Sequence, residues 1–153
     1  MYHRNICNLD ESYCERCNTT TQTLEHIFCT CPIAGSIWDC IGVAVSEDHY
    51  KRPWLLEAEA QLPRQVALDV FLVILWQIWK ARNALIFDHR NSTSRDVLRC
   101  VVADLGAWSC RYKTLESSLL RWQEFLLHRP SPPLYPLPWY GRMNLYWIMS
   151  INT

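Results

Sequence analysis

Between residues 14 and 31 the chain reads CERCNTTTQTLEHIFCTC, and this stretch limits the fold more than any other. Cys14 and Cys17 stand two residues apart, His26 follows after eight more, and Cys31 four residues later. The pattern C-x2-C-x8-H-x4-C supplies four soft or borderline ligands, the number zinc takes in a tetrahedron. Bonds to sulfur run roughly 2.3 Å and those to imidazole nitrogen about 2.0–2.1 Å. Two cysteines at this spacing clip one ion from a tight turn, and a His and a Cys from the next turn or helix close the site. Four protein ligands leave no open coordination position, so the pattern predicts a structural Zn2+ site rather than a catalytic one.

Other chemistries fit the cysteines less well. Small buried thiols can simply fill a core. A redox C-x2-C pair belongs between a strand and a helix, whereas polar Asn18 to Gln22 follow here. A disulfide framework suits short secreted chains. The ligand set has competitors: Cys29 lies two residues before Cys31, and Cys7 and His3 lie upstream. Pro32 favours Cys31, because proline suits the first turn of a helix and Cys31 would be its cap. Thr23 is positioned to cap a short turn over Leu24 to Phe28.

At 153 residues the chain has the length of one domain, or a small domain with an appendage. Half of its residues are hydrophobic, enough for a core. Fifteen basic and fifteen acidic residues cancel, so net charge gives no argument for nucleic-acid binding. Cysteines outside the pattern are scattered, as reduced thiols of an intracellular protein would be, nuclear or cytoplasmic. The N-terminal MYHRNICNLDESY lacks the apolar core of a signal peptide. Val66 to Trp79 is the most apolar stretch, interrupted by Asp69 and Gln77 and shorter than the about 20 residues of a membrane span. It predicts a buried helix and no membrane.

The expected architecture is mainly α. Residues 1–45 form the Cys3His zinc module, with Pro32 to Ile41 helical and Trp38 packed in the core. Residues 46–63 connect, with a short helix over Trp54 to Gln61. Residues 64–128 form a long antiparallel helical hairpin. Its first helix, Gln65 to Asp88, repeats Phe71, Ile74, Ile78, Ala81 and Leu85 at three and four residues, and apolar residues fill most of the remaining circumference. His89 to Ser94 is a polar turn in which Thr93 or Ser94 caps the next helix. That second helix is predicted from about Arg95 to Leu127, with a heptad seam through Leu98, Val101, Leu105, Trp108, Tyr112, Leu115, Leu119, Trp122 and Leu126. Residues 129–153 begin with five prolines in ten residues and form a Pro-rich linker, followed by an aromatic tail, docked or loose.

Two stretches resemble one family. CERC, QTLEH, CTCP and SIW are similar to the zinc-binding domain that follows the reverse transcriptase of non-LTR retrotransposons of the plant type. Gln22 stands where that family often has Glu. WQIWKARNALIF at Trp76 to Phe87 resembles the family's Trp-x2-Trp-Lys-x-Arg-Asn signature. The resemblance covers about Cys7 to Phe87 and implies Cys14, Cys17, His26 and Cys31 as ligands. In the family an RNase H domain often follows a proline-rich linker. Here no Asp or Glu occurs after Glu124, and an RNase H needs clustered carboxylates to hold its metals. The resemblance therefore implies a fragment without polymerase or RNase H activity, and not an enzyme.

The family context implies binding of RNA or DNA, with Arg16, Lys80, Arg82 and Arg90 as phosphate contacts and aromatic rings stacking on bases. The heptad seam supports a different reading: a helix-mediated protein partner or a homo-oligomer. An inert genomic remnant that folds is the third.

Overall fold

The computed structural model describes residues 13–46, 49–54 and 62–128. The expectations for the N-terminal lead-in, most of the short helix over Trp54 to Gln61, and the Pro-rich linker and tail lie outside these residues. The described fold is mainly helical, without strands among the described residues, and carries a Cys/His cluster.

Helix α1, Pro32–Ile41, begins where its proline predicts. Cys31 is its N-cap, and Gly42 ends it in the left-handed conformation (φ 71°), where glycine lacks the Cβ that would clash. A 3-10 turn, Arg64–Val66, leads from Pro63 into α2, Ala67–Asp88, which ends at His89 in the left-handed region. Helix α3, Ser94–Ala107, starts with a complete capping box. The Asp96 N–H donates to Thr93 Oγ1, and the Thr93 N–H donates back to the Asp96 carboxylate. That exchange holds the Asp96 carboxyl below the usual carboxylate range, chiefly through its hydrogen bond with the Thr93 side chain.

Beyond Ala107 the structure departs from the sequence expectation. The single helix to Leu127 is two. A 3-10 turn at Ser109–Tyr112 separates α3 from α4, Glu116–His128, and α4 packs back on α3. Gln123 Nε2 donates to the Val102 carbonyl across the pair. The seam divides accordingly. Leu98, Val101 and Leu105 bury from α3, and Leu119, Trp122 and Leu126 from α4. Trp108 at the bend is 40% exposed. The seam is therefore consumed within the bundle rather than presented as one stripe.

Helix α2 is the central element, packed against α3 and against the coil that carries His26. Val70, Phe71, Val73, Ile74 and Ile78 are buried. Gln77, also buried, donates to the Asp104 carboxylate of α3, which satisfies a polar group inside the helix pair. Leu72, Trp76 and Trp79 face outward, so α2 is buried on only part of its apolar circumference. Over Arg64–Asp88 the chain is long and apolar enough to cross a membrane by length and composition, contrary to the expectation from the shorter apolar stretch. A core helix meets the same criterion, and 44% of the most apolar window is buried here against the rest of the protein.

Three aromatic rings connect the layers. Trp38 of α1 lies 6.4 Å from Phe71 of α2, and Phe71 meets Trp122 of α4 edge-on at 5.7 Å. All three side chains are fully buried, and both indole N–H groups find carbonyls: Trp38 donates to Phe28 at 2.7 Å and Trp122 to Pro63 at 3.0 Å. Trp38 thus anchors the coil of the Cys/His cluster to the bundle.

Candidate metal centre

Cys14 and Cys17 sit on a tight loop closed by an isolated bridge between Tyr13 and Thr21. The Cys14 N–H donates to the Thr20 carbonyl at 2.9 Å, and the Cys14 carbonyl accepts from Cys17 and Asn18. Asn18 takes a positive φ of 53°, a conformation asparagine tolerates better than most residues. This loop turns both sulfurs to one side.

Thr23 caps the next turn as its position predicts, accepting from the His26 N–H at 3.0 Å. From His26 to Thr30 the coil widens into a π-helical turn, and the Cys31 N–H reaches the His26 carbonyl at 2.7 Å. On a regular α-helix, residues five apart point about 140° away from each other. The wider turn and the extended Cys31 backbone (ψ 135°) bring His26 and Cys31 to a common centre. Cys31 then caps α1 through its carbonyl, which accepts from Gly35 at 2.8 Å.

The Sγ atoms of Cys14, Cys17 and Cys31 and a ring nitrogen of His26 all lie within 4.8 Å of one another, close enough to bind one metal ion. Ideal edges of a tetrahedron with zinc bond lengths are about 3.8 Å between sulfurs and about 3.6 Å between sulfur and nitrogen. Cys14 Sγ and Cys31 Sγ are 4.0 Å apart, and Cys17 Sγ and His26 Nε2 are 3.3 Å apart. The first distance is also far outside a disulfide bond of about 2.05 Å. No disulfide joins any of the described cysteines. The competition between Cys29 and Cys31 resolves toward Cys31, because Cys29 is buried outside the cluster. His49 stays apart, accepting at Nδ1 from the Ser46 N–H.

Surrounding groups prepare the donors. His26 Nδ1 lies 3.1 Å from Thr30 Oγ1. An Nδ1–H donated there leaves the Nε2 lone pair facing the sulfurs, the tautomer a metal ligand needs. Burial lowers the His26 pKa, which favours the neutral ring. Burial raises the Cys17 thiol, but hydrogen bonds from the Thr19 hydroxyl at 3.1 Å and from the backbone of Thr19 and Thr20 outweigh it, and the net shift is downward. Burial pushes Cys31 up to about 11, opposed by a backbone hydrogen bond at Ile33. Such a thiol ionises at neutral pH when a cation takes the place of its proton.

The four candidate phosphate contacts are distributed differently from one another. Lys80 is exposed on α2, and Arg90 is exposed and paired with Asp88 at 2.8 Å. Arg16 and Arg82 instead turn inward beside the cluster, both half-buried, and burial lowers the pKa of each. Arg82 donates to Gln22 and Asn83. Their inward orientation was not legible in the sequence. Its signal was proximity alone, since Arg16 falls between two ligands.

Compared with protein-family models, curated proteins and solved structures, the chain matches none.

Proposed function

We propose that this chain is a non-catalytic zinc module of the kind found beside non-LTR retrotransposon reverse transcriptases. Its Zn2+ fastens residues 13–31 to the helical bundle. The convergence of Cys14, Cys17, His26 and Cys31 carries this reading. Three thiolates and one imidazole in a tetrahedral arrangement select zinc over the hard cations magnesium and calcium, which prefer oxygen. With all four positions taken by protein, the ion supplies structure and no reactive site. Elemental analysis of the purified chain tests this, with one zinc per chain expected. A metal-free, folded chain would overturn it.

In a larger protein such a module binds nucleic acid, and one feature favours this over an interaction through the heptad seam. Trp76 and Trp79 stack on each other at 5.1 Å on α2, 48% and 40% exposed, with Lys80 beside them. Exposed rings next to a cation form a stacking platform for unpaired bases, worth about 1–3 kcal/mol per stacked base. Binding of single-stranded RNA at two salt concentrations tests it. Affinity should fall as salt rises and should drop when both tryptophans become alanine. Absence of binding at low salt removes the nucleic-acid part and leaves the zinc part standing.

A further inference from the structure

A zinc ion held by three thiolates and a neutral imidazole carries a net charge of −1. A buried charge needs an opposing partner, or the centre is costly to form. Arg16, from the loop between the first two cysteines, and Arg82, from the last third of α2, line one small cavity together with Cys14 and Cys31. Much of the remaining wall is apolar, Ile27 and Ile78 among it. Arg16 Nε and Nη2 and Arg82 Nε are buried with no hydrogen-bond partner. Leaving such donors unpaired costs about 1–3 kcal/mol, and more for a charged group. Arg82 Nη1 and Nη2 donate to Asn83 and Gln22, so Nε is the nitrogen of this side chain left without a partner.

The cavity holds about 10 Å³, room for a single water at most. A phosphate or another polyatomic anion does not fit. Burial lowers both arginines, and the ionisable groups near enough to oppose that shift are Cys31 and Cys14 for Arg16, and Glu15 and Cys14 for Arg82. Glu15 is exposed and well solvated, whereas Cys14 is buried.

We infer that Arg16 and Arg82 are the counter-cations of the metal centre: the unpartnered Arg16 Nε and Nη2 and Arg82 Nε are the donors available to the Cys14 and Cys31 thiolates once a metal ionises them, and they tie α2 to the metal loop. This rests on the zinc reading above. The two arginines are positioning residues: they offset the negative charge of the centre and orient its sulfurs without touching the ion. Arg82 thereby makes α2 part of the metal site, although no ligand comes from that helix.

The test is cobalt(II) titration of the full chain, followed by zinc competition against a chelator, for the unaltered protein, R16Q, R82Q, R82K, E15Q and R121Q. Arg16→Gln and Arg82→Gln should each weaken zinc binding by about 10–100-fold, the usual loss when a group supporting a ligand is removed. They should also move the sulfur-to-cobalt charge-transfer band to lower energy, since a thiolate that loses N–H donors gives up electrons more easily. Arg82→Lys keeps the charge and should lose less affinity than Arg82→Gln. Arg121→Gln, on α4, should match the unaltered protein.

If R16Q and R82Q melt earlier but keep the affinity and the cobalt spectrum, the arginines only pack, and the proposal fails. If E15Q reproduces the loss seen in R82Q, Glu15 is the partner of Arg82, and the proposal fails for that residue. An unaltered chain that takes up no cobalt overturns the zinc reading and this proposal with it. Uptake by the unaltered chain with equal uptake by the arginine variants overturns this proposal alone. Arg16 lies on a loop, so R16Q carries the test if R82Q does not fold.

Discussion

Residues 13–31 bury Cys14, His26, Cys29 and Cys31, but none of their larger aliphatic or aromatic side chains. Helices α2 to α4 fully bury Phe71, Ile74, Leu105, Leu119 and Trp122, with Gln77 as the buried polar side chain. The first region has too little apolar surface to hold itself and converges on a few donor atoms. The second is held by packing distributed over many residues. Loss of one donor should therefore be all-or-none for the loop, while loss of one core side chain should be graded for the bundle.

The largest expected effect comes from metal removal. Apparent zinc binding in small modules is worth about 10–16 kcal/mol. Strong chelation, or Cys14→Ser, should open residues 14–31 to proteolysis and hydrogen exchange while circular dichroism keeps the signal of α2 to α4. Cys100→Ser, at an exposed position on α3, should change neither readout. If the loop stays protected after chelation, the contrast between the two regions is broken.

Next is the aromatic chain that joins them. Phe71→Ala should cost about 3–5 kcal/mol of bundle stability in denaturant unfolding, the range for truncating a buried aromatic ring. Gln77→Leu leaves the Asp104 carboxylate without its α2 partner and should cost about 1–3 kcal/mol. Thr93→Ala removes the α3 cap and should cost about 1 kcal/mol. Smallest of all is Arg90→Ala. Its ion pair with Asp88 is open to solvent on both sides, and the change should stay within about 0.5 kcal/mol.

Acid sharpens the same comparison. His26 has a lowered pKa in the folded chain, so its contribution is complete above the ordinary histidine value and is lost as pH falls below it toward the folded value. Asp96 is also lowered. Its contribution is present above the ordinary carboxylate value and disappears only as pH falls through the folded value. An acid titration followed by zinc release and by helical signal should show the loop letting go first and the α3 cap much later.

Much of this was readable from particular residues. The ligand spacing, Pro32 as a helix start and Thr93 as a cap each act locally, and each stands where its chemistry requires. The break at Ala107 had one local signal, Gly106, which weakens a helix by about 1 kcal/mol against alanine but does not by itself end one. Trp108, Tyr112 and Leu115 keep the three-four spacing through the bend, and no proline interrupts it. The bend pairs its own backbone, Arg111 N–H to Trp108 at 2.9 Å and Leu115 N–H to Tyr112 at 2.8 Å, so leaving the helix costs few hydrogen bonds. Periodicity reports which residues share a face, not whether the axis continues. Arg16 and Arg82 look like surface charges in the sequence because a cation near sulfur has no local pattern; only the tertiary fold brings Arg82 to the cluster.

Cys31 ends the widened turn after His26 and begins α1 within a single residue. Its sulfur belongs to the cluster and its carbonyl to the first turn of α1, so the coil and the helix cannot be repositioned independently: a shift of this one backbone unit moves both.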